Sequence, residues 1–308
     1  MPEVTLIYNP HAGLLDLVTP DQLIDALRQA GYEAVYEPTE RERDLDQALA
    51  DLGDVVVAAG GDGTVRAIAT RLLDRDVALA IVPMETANNI AHTLGIARQP
   101  LEAVAGLANP RRFRYDVGHV KAPWGEDYFL ETFGVGFFAE VALHYGSDGE
   151  RTLPQAVAAI GESLMTYQSY SLRISLDGRD LSGDYAALEV FNIPVLGPRL
   201  ELVPKADPGD GQLEVLCIGP EDRMQFLRAI TGRLVNGVDE PPAMEVLSGR
   251  RLTLAYRGVA AHVDAKARPP VAGSPSQELP DEVDIELTVS LIPGAVQFLL
   301  PQPERSVQ

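Results

Sequence analysis

A single cysteine, Cys217, stands among 308 residues, which excludes an internal disulfide framework. It falls in the apolar run Leu213–Ile218, where the expectation is a small core residue. No apolar run approaches the ~20 residues of a membrane helix, because Asp, Arg, Gly or Pro interrupts each one. Met1-Pro2-Glu3 lacks the basic start of a secretory leader and runs directly into a strand-like segment. Positive charge is scarce: 25 Lys and Arg face 45 Asp and Glu, a formal net charge of -20. Such a balance repels nucleic acid and anionic membrane, and no long basic stretch offsets it. The expectation is a cytoplasmic protein with no nucleic-acid partner and at most peripheral membrane contact; a homodimer stays open.

The first part of the chain alternates strand and helix. Val4–Tyr8, Tyr32–Tyr36, Val55–Ala59 and Val77–Val82 read as strands, the third so apolar that both its faces should be covered. Helices are expected from Thr19-Pro20-Asp21 to about Ala30, over Leu45–Leu52 and Val65–Leu73, and over Asn88–Leu94, where Gly95 stops the last. This order implies a parallel sheet with right-handed crossovers.

From about Asp116 the pattern changes to short segments between turn residues. They are Val117–Lys121, Tyr128–Phe133, Leu172–Leu176, Ala186–Asn192, Gln212–Ile218, Arg251–Tyr256 and Ala260–Asp264. Asp177-Gly178 is a hairpin turn, and one helix is expected over Leu153–Tyr167. Pro269–Asp281 reads as a loop, followed by strands Val283–Ile292 and Val296–Leu300. The fold class is thus α/β: an N-terminal α/β nucleotide-binding domain (1–115) with a parallel sheet, then a β-rich antiparallel sandwich (116–293). The last segment, about 294–308, returns to the first domain.

Gly60-Gly61-Asp62-Gly63-Thr64 lies between an apolar strand and a helix, the setting that makes a glycine motif informative. Glycines let backbone N–H groups approach phosphate oxygens, and the helix N-terminus adds its dipole. Thr64 suits a phosphate contact or a helix cap. Asp62 would repel a bare anion; it suits a metal bridging the phosphates, or a proton taken from an attacking hydroxyl. The motif is neither a dinucleotide fingerprint nor a P-loop, since no Gly-Lys-Ser/Thr follows. His11, His92, His119 and His144 show no shared metal-ligand spacing, and no serine nucleophile elbow is present.

Five ordered motifs resemble the diacylglycerol kinase catalytic-domain family, which includes sphingosine-type lipid kinases and soluble bacterial relatives. They are Asn9-Pro10-His11-Ala12-Gly13; Gly60–Thr64; Pro83-Met84-Glu85-Thr86-Ala87-Asn88-Asn89-Ile90-Ala91; Phe133-Gly134-Val135-Gly136-Phe137 with Ala139-Glu140-Val141; and Pro204-Lys205-Ala206 with Asp210-Gly211-Gln212-Leu213. The resemblance implies two lobes with ATP and Mg2+ in a cleft, and transfer of the γ-phosphoryl group to the hydroxyl of a diacylglycerol-like or other lipid alcohol. It implies ATP contacts from Asn9, Thr39, Gly60, Gly61, Asp62, Gly63, Thr64, Thr86 and Asn88. It also implies a structural metal on Asp207, Asp210 and Gln212, oxygen donors that suit a hard cation.

The chain departs from the family's pattern on chemistry. Arg66-Ala67 stands where the family carries an acidic residue soon after the glycine loop, Glu85 replaces a glycine, and Asn89 replaces an acid. Asp264-Ala265-Lys266 replaces an Asp-Gly-Glu turn whose Glu is the proposed base; losing a general base costs about 10²–10⁴-fold in rate. On an extended strand His262, Asp264 and Lys266 would share one face, which makes His262 or Asp264 a substitute base, with Asp62 a third. Lys266 and Arg268 would alternatively hold the phosphate of an already phosphorylated substrate. Two other functions stay open: a catalytically degenerate relative that binds nucleotide or lipid as a sensor, and a kinase of a soluble, nucleotide-like substrate.

Overall fold

A computed structural model describes residues 1–12, 18–39, 41–145, 161–197, 200–236, 244–256, 258–268 and 285–302, and the chain divides into two compact units. Gly13, residues 153–160 of the expected helix and the whole expected loop Pro269–Asp281 lie outside the described residues, as does the His144 side chain.

The first unit comprises Met1–Asp116 and Pro293–Gln308. Its strands are β1 (Glu3–Tyr8), β2 (Glu33–Pro38), β3 (Val55–Gly60) and β4 (Ala78–Pro83). Its helices are α1 (Pro20–Gln29), α2 (Leu45–Ala48), α3 (Asp62–Ala69), α4 (Asn89–Thr93) and α5 (Pro100–Ala105). The strands pair in parallel in the order β2-β1-β3-β4. Every residue of β3 and β4 is buried, as their unbroken apolar sequences require. Thr19 and Gln22 form a reciprocal cap ahead of Pro20, and Leu23 and Leu27 of α1 pack onto Leu6, Val57 and Val82. The expected helix over Leu45–Leu52 is only a 3-10 turn, Glu42–Asp44, followed by one turn of α2. The cause lies at Gly53, whose N–H bonds Thr5 Oγ1 at 3.2 Å and where a Cβ would stand 2.5 Å from the Glu3 carbonyl oxygen. That contact draws the chain in to start β3.

The second unit is Val117–Ile292. Its elements begin with β5 (Arg111–Ala122), which enters from the first unit, then β6 (Gly125–Phe129), β7 (Thr132–Gly136), α6 (Phe137–Tyr145) and α7 (residues 161–166). Short strands follow: β8 (Tyr170–Leu172), β9 (Ile174–Leu176), β10 (Arg179–Asp180), β11 (Gly183–Tyr185), β12 (Ala187–Phe191), β13 (Val195–Leu196) and β14 (Leu200–Glu201). After β15 (Leu213–Ile218) and α8 (Arg223–Asn236) come β16 (Val246–Gly249), β17 (Arg251–Tyr256), β18 (Ala261–Val263), β19 (Lys266–Arg268) and β20 (Ile285–Leu300).

One antiparallel sheet runs β16-β15-β12-β7-β18-β19; a second is built from β10, β9, β17 and the first half of β20. Alternate residues of the two sheets form one core: Phe133, Val135, Leu188 and Val190 from the first, Ile174, Leu254, Leu287 and Val289 from the second. The opposite face of the six-stranded sheet is covered by Phe137 and Phe138 of α6, Leu164 of α7, and Phe226 and Ile230 of α8. Cys217 packs at the edge of the sandwich core, and burial pushes its thiol up to about 12.

Several expected segments divide. Tyr128–Phe133 breaks into β6 and β7 at Leu130-Glu131, and Leu172–Leu176 breaks at Arg173, with β8 turning away to pair with β11. The reverse occurs at the end of the chain, where β20 is continuous. Its start pairs antiparallel with β17, and Gln297 and Phe298 pair in parallel with β4. Within the first unit Gly294 adopts φ 59°, and its N–H donates to the buried Asp116 carboxylate at 2.6 Å.

Candidate active site

In the first unit β1 lies between β2 and β3, so the connections leaving its carboxyl end diverge there. The β1/β3 position is the switch point at which open α/β sheets bind ligands. The Asn9 turn follows β1 and the glycine loop follows β3 at this point. Asn9 N donates to the Ala59 carbonyl (2.9 Å), and Asn9 Nδ2 donates to Thr64 Oγ1 (3.1 Å), tying the two turns together. Thr39 follows β2 at the same sheet edge and is buried.

Each glycine of the loop has its own reason. A Cβ on Gly60 would stand 2.6 Å from Thr64 Cβ, so the helix turns tightly over it. A Cβ on Gly61 would stand 2.1 Å from the carboxyl carbon of Glu85. Gly63 is exposed, and nothing lies within 4 Å of where its Cβ would be. The helix begins earlier than the expected Val65: Gly61 is the N-cap of α3 and Asp62 its first residue.

The Asp62 carboxylate accepts from both Asn89 N (2.8 Å) and Ile90 N (3.0 Å), joining the starts of α3 and α4. Glu85 is half-buried beside it, and burial, followed by the Asp62 charge, raises its carboxyl above the ordinary range. Thr86 is exposed in the same turn. Asn88 is buried in the left-handed conformation (φ 46°), and its Nδ2 donates back to the Glu85 carbonyl, so its side chain organises the turn. The structure thus gathers Asn9, Gly60, Gly61, Asp62, Gly63, Thr64 and Thr86 around one strand-end turn system, with Glu85 in its midst.

In the second unit the sequence reading of the late turn is corrected. The chain does not run extended through Asp264: β18 and β19 form a hairpin that reverses at Asp264-Ala265, with Asp264 at φ 50°. Lys266 therefore lies opposite Val263, on the other face of the sheet from His262. The Asp264 carboxylate accepts from Glu131 N (2.8 Å), Thr132 N (3.1 Å) and Leu130 N (3.2 Å), pinning the β6–β7 connection. Arg268 is held by Asp127 through two bonds of 2.8 and 3.0 Å, so it is committed to an ion pair rather than presented to a phosphate.

His262 is 2% exposed, and its ring bridges Glu189 (Nε2 to the carboxylate at 3.0 and 3.1 Å) and the Asp264 carbonyl (Nδ1, 2.8 Å). Glu189 and His262 both register with Gly134 of the central strand β7, where a Cβ would stand 2.1 Å from Glu189 Oε1. Gly134 supplies the room for the pair. Burial disfavours both charged forms; in His262 the Glu189 carboxylate outweighs that and raises its pKa, while burial raises that of Glu189. Glu189 was legible in the sequence as the lone acid within Ala186–Asn192, but its partner was not.

Asp207 and Asp210 are exposed in the turn before β15, and each accepts one backbone N–H, from Gly209 (2.9 Å) and Gln212 (2.8 Å). The carboxylates and backbone carbonyls of this turn are oxygen donors of the kind that suits a hard cation. Among the described residues no three His, Cys, Asp or Glu side chains gather as metal ligands.

No helix among the described residues is long and apolar enough to cross a membrane. Residues 3–120 match the diacylglycerol kinase catalytic domain, and residues 139–299 match the YegS C-terminal NAD kinase beta sandwich-like domain. The diacylglycerol kinase of Bacillus subtilis (strain 168) is 26% identical over 245 residues, 75% of this chain and 78% of that protein. The probable lipid kinase YegS-like of Pseudomonas putida KT2440 is 30% identical over 216 residues, 67% of this chain and 71% of its own length. The fold is that of a diacylglycerol kinase crystal structure from Bacillus anthracis str. Sterne, with TM-score 0.73 and 20% identity, covering 98% of this chain and 97% of that one. The glycine loop at a sheet switch point, followed by the matching sandwich, makes this chain a member of the diacylglycerol kinase catalytic-domain family of lipid kinases.

Proposed function

We propose that the chain is an ATP- and Mg2+-dependent kinase that moves the γ-phosphoryl group to the hydroxyl of a diacylglycerol-like lipid alcohol. The observation that carries this reading is the open glycine turn at the β1/β3 switch point, where Gly63 leaves unfilled space at the start of α3. Backbone N–H groups at Asp62 and Gly63 are the phosphate donors, and the Asn9–Thr64 bond fixes the Thr64 hydroxyl beside them. Bound magnesium would neutralise charge on the phosphates.

Among the three carboxylate and imidazole candidates, Asp62 is the one left accessible. His262 is enclosed with Glu189, and Asp264 spends its carboxylate on three backbone donors. Asp62 is only part-buried at the start of α3, where its carboxylate can receive the proton of an attacking hydroxyl. A second reading, a relative that binds nucleotide or lipid without transferring phosphate, is favoured by Glu85 above Gly61 and by Lys266 in the hairpin.

A radiolabelled-ATP assay against diacylglycerol, phosphatidylglycerol, sphingosine and NAD separates the readings. Labelled lipid that disappears in Asp62→Asn supports the kinase. Absence of any labelled product alongside measurable ATP binding selects the non-transferring relative.

A further inference from the structure

The Glu85 carboxyl lies at the N-terminus of α3, over the N-cap Gly61, with its oxygens 2.3 and 2.4 Å from where a Cβ on that glycine would stand. This is the place an anionic ligand of the helix would take. Among the described residues Asn88 Nδ2 donates to the backbone carbonyl of Glu85, while its carboxyl oxygens have no hydrogen-bond donor. The negative charge of Asp62 is its electrostatic neighbour. Packing, rather than hydrogen bonding, therefore holds the side chain in place. A ligand that brings positive charge can displace or pair with it; a bare polyphosphate meets a second anion in a half-buried site.

We infer that Glu85 is a specificity-determining residue of the phosphate cradle, admitting a nucleotide polyphosphate only when a divalent cation on the phosphates offsets the carboxylate. The inference rests on the nucleotide reading given above. It concerns binding, so it can be measured without turnover.

The test is calorimetric titration of ATP, with magnesium and with chelator, into the wild type, Glu85→Gln and Glu85→Gly, with circular dichroism to verify each fold. Removing one negative charge a few ångströms from a phosphate should tighten magnesium-free ATP about ten- to a hundred-fold in Glu85→Gln. The magnesium dependence should shrink by the same factor, because the cation no longer offsets a protein charge. Glu85→Gly should bind at least as tightly as Glu85→Gln. If Glu85→Gln behaves as wild type while Glu85→Gly binds more tightly, bulk rather than charge controls entry and the cation gate is overturned. Equal affinities in all three proteins, with and without magnesium, overturn it while leaving the nucleotide reading intact. No ATP binding by any folded variant overturns the nucleotide reading and the gate together.

Discussion

Replacing Glu189 by alanine would leave a histidine enclosed in the sheet with its strongest partner gone. In the native structure the Glu189 and His262 side chains are 0% and 3% exposed and share two contacts of 3.0 and 3.1 Å. Removing one member of a buried pair costs about 3–5 kcal/mol, because the survivor keeps its desolvation penalty without compensation. At roughly 2–4 °C per kcal/mol for a domain of this size, that is a loss of about 6–20 °C in Tm. Replacing both, as Glu189→Leu with His262→Phe, should cost far less than the sum of the single changes, since no buried charge remains.

The pH dependence carries a sign. The pKa of His262 is raised in the folded protein, so its stabilisation is fully present below the unfolded value, about 6.5, and fades as pH rises through the folded value. In Glu189→Ala the strongest raising partner is gone, and burial, which lowers the pKa, is opposed only by the Asp264 carbonyl bond and the Asp264 charge, so the stabilisation carried by the protonated imidazole shrinks. The penalty of Glu189→Ala should accordingly be larger at pH 6 than at pH 8.5. Urea denaturation monitored by circular dichroism at the two pH values measures it. A penalty below about 1 kcal/mol at both, or a double variant whose loss equals the sum of the singles, would refute the account of the pair.

Gly63→Ala should fold with stability within about 1 kcal/mol of wild type yet lose ATP affinity, because its Cβ meets nothing in the protein but would meet a phosphate. Gly61→Ala displaces the Glu85 carboxyl, the far end of a flexible side chain, and should therefore move the Glu85 position at little cost in Tm; a loss above about 2 kcal/mol in urea titration would show that Glu85 is rigidly held there. Asp264→Ala strands three backbone donors and should cost about 2–4 kcal/mol, whereas Asp264→Asn, which keeps an acceptor and tolerates the left-handed backbone, should recover part of it in the same urea titration. Asp210→Ala should lower Tm more in magnesium than in chelator if a cation occupies the Asp207–Asp210 turn, the loss of the Gln212 N–H acceptor being common to both; equal Tm changes in both buffers would refute a structural ion there.

What the sequence determined by itself is local. Unbroken Val and Ala at 55–59 marked a strand covered on both faces, Thr19-Pro20 marked a capped helix start, and Asp177-Gly178 marked the β9–β10 turn, where both residues take positive φ. The glycine motif was equally readable, because the need for a close approach is written in the absence of side chains. Helix α8 was not expected although Phe226 and Ile230 stand one turn apart, since its neighbours on both sides read as strands separated by turn residues. The site's chemistry depended on partners far apart in the chain. That Asp62 would be tied to residues 89 and 90, that Glu85 would lie over Gly61, and that Glu189 and His262 would meet across Gly134 follow from strand order and register. A hairpin reversing at Asp264 undid the shared face of His262 and Lys266. Period and propensity act over a few residues, whereas the charges that decide this site are set beside one another only by the tertiary packing of the strands that carry them.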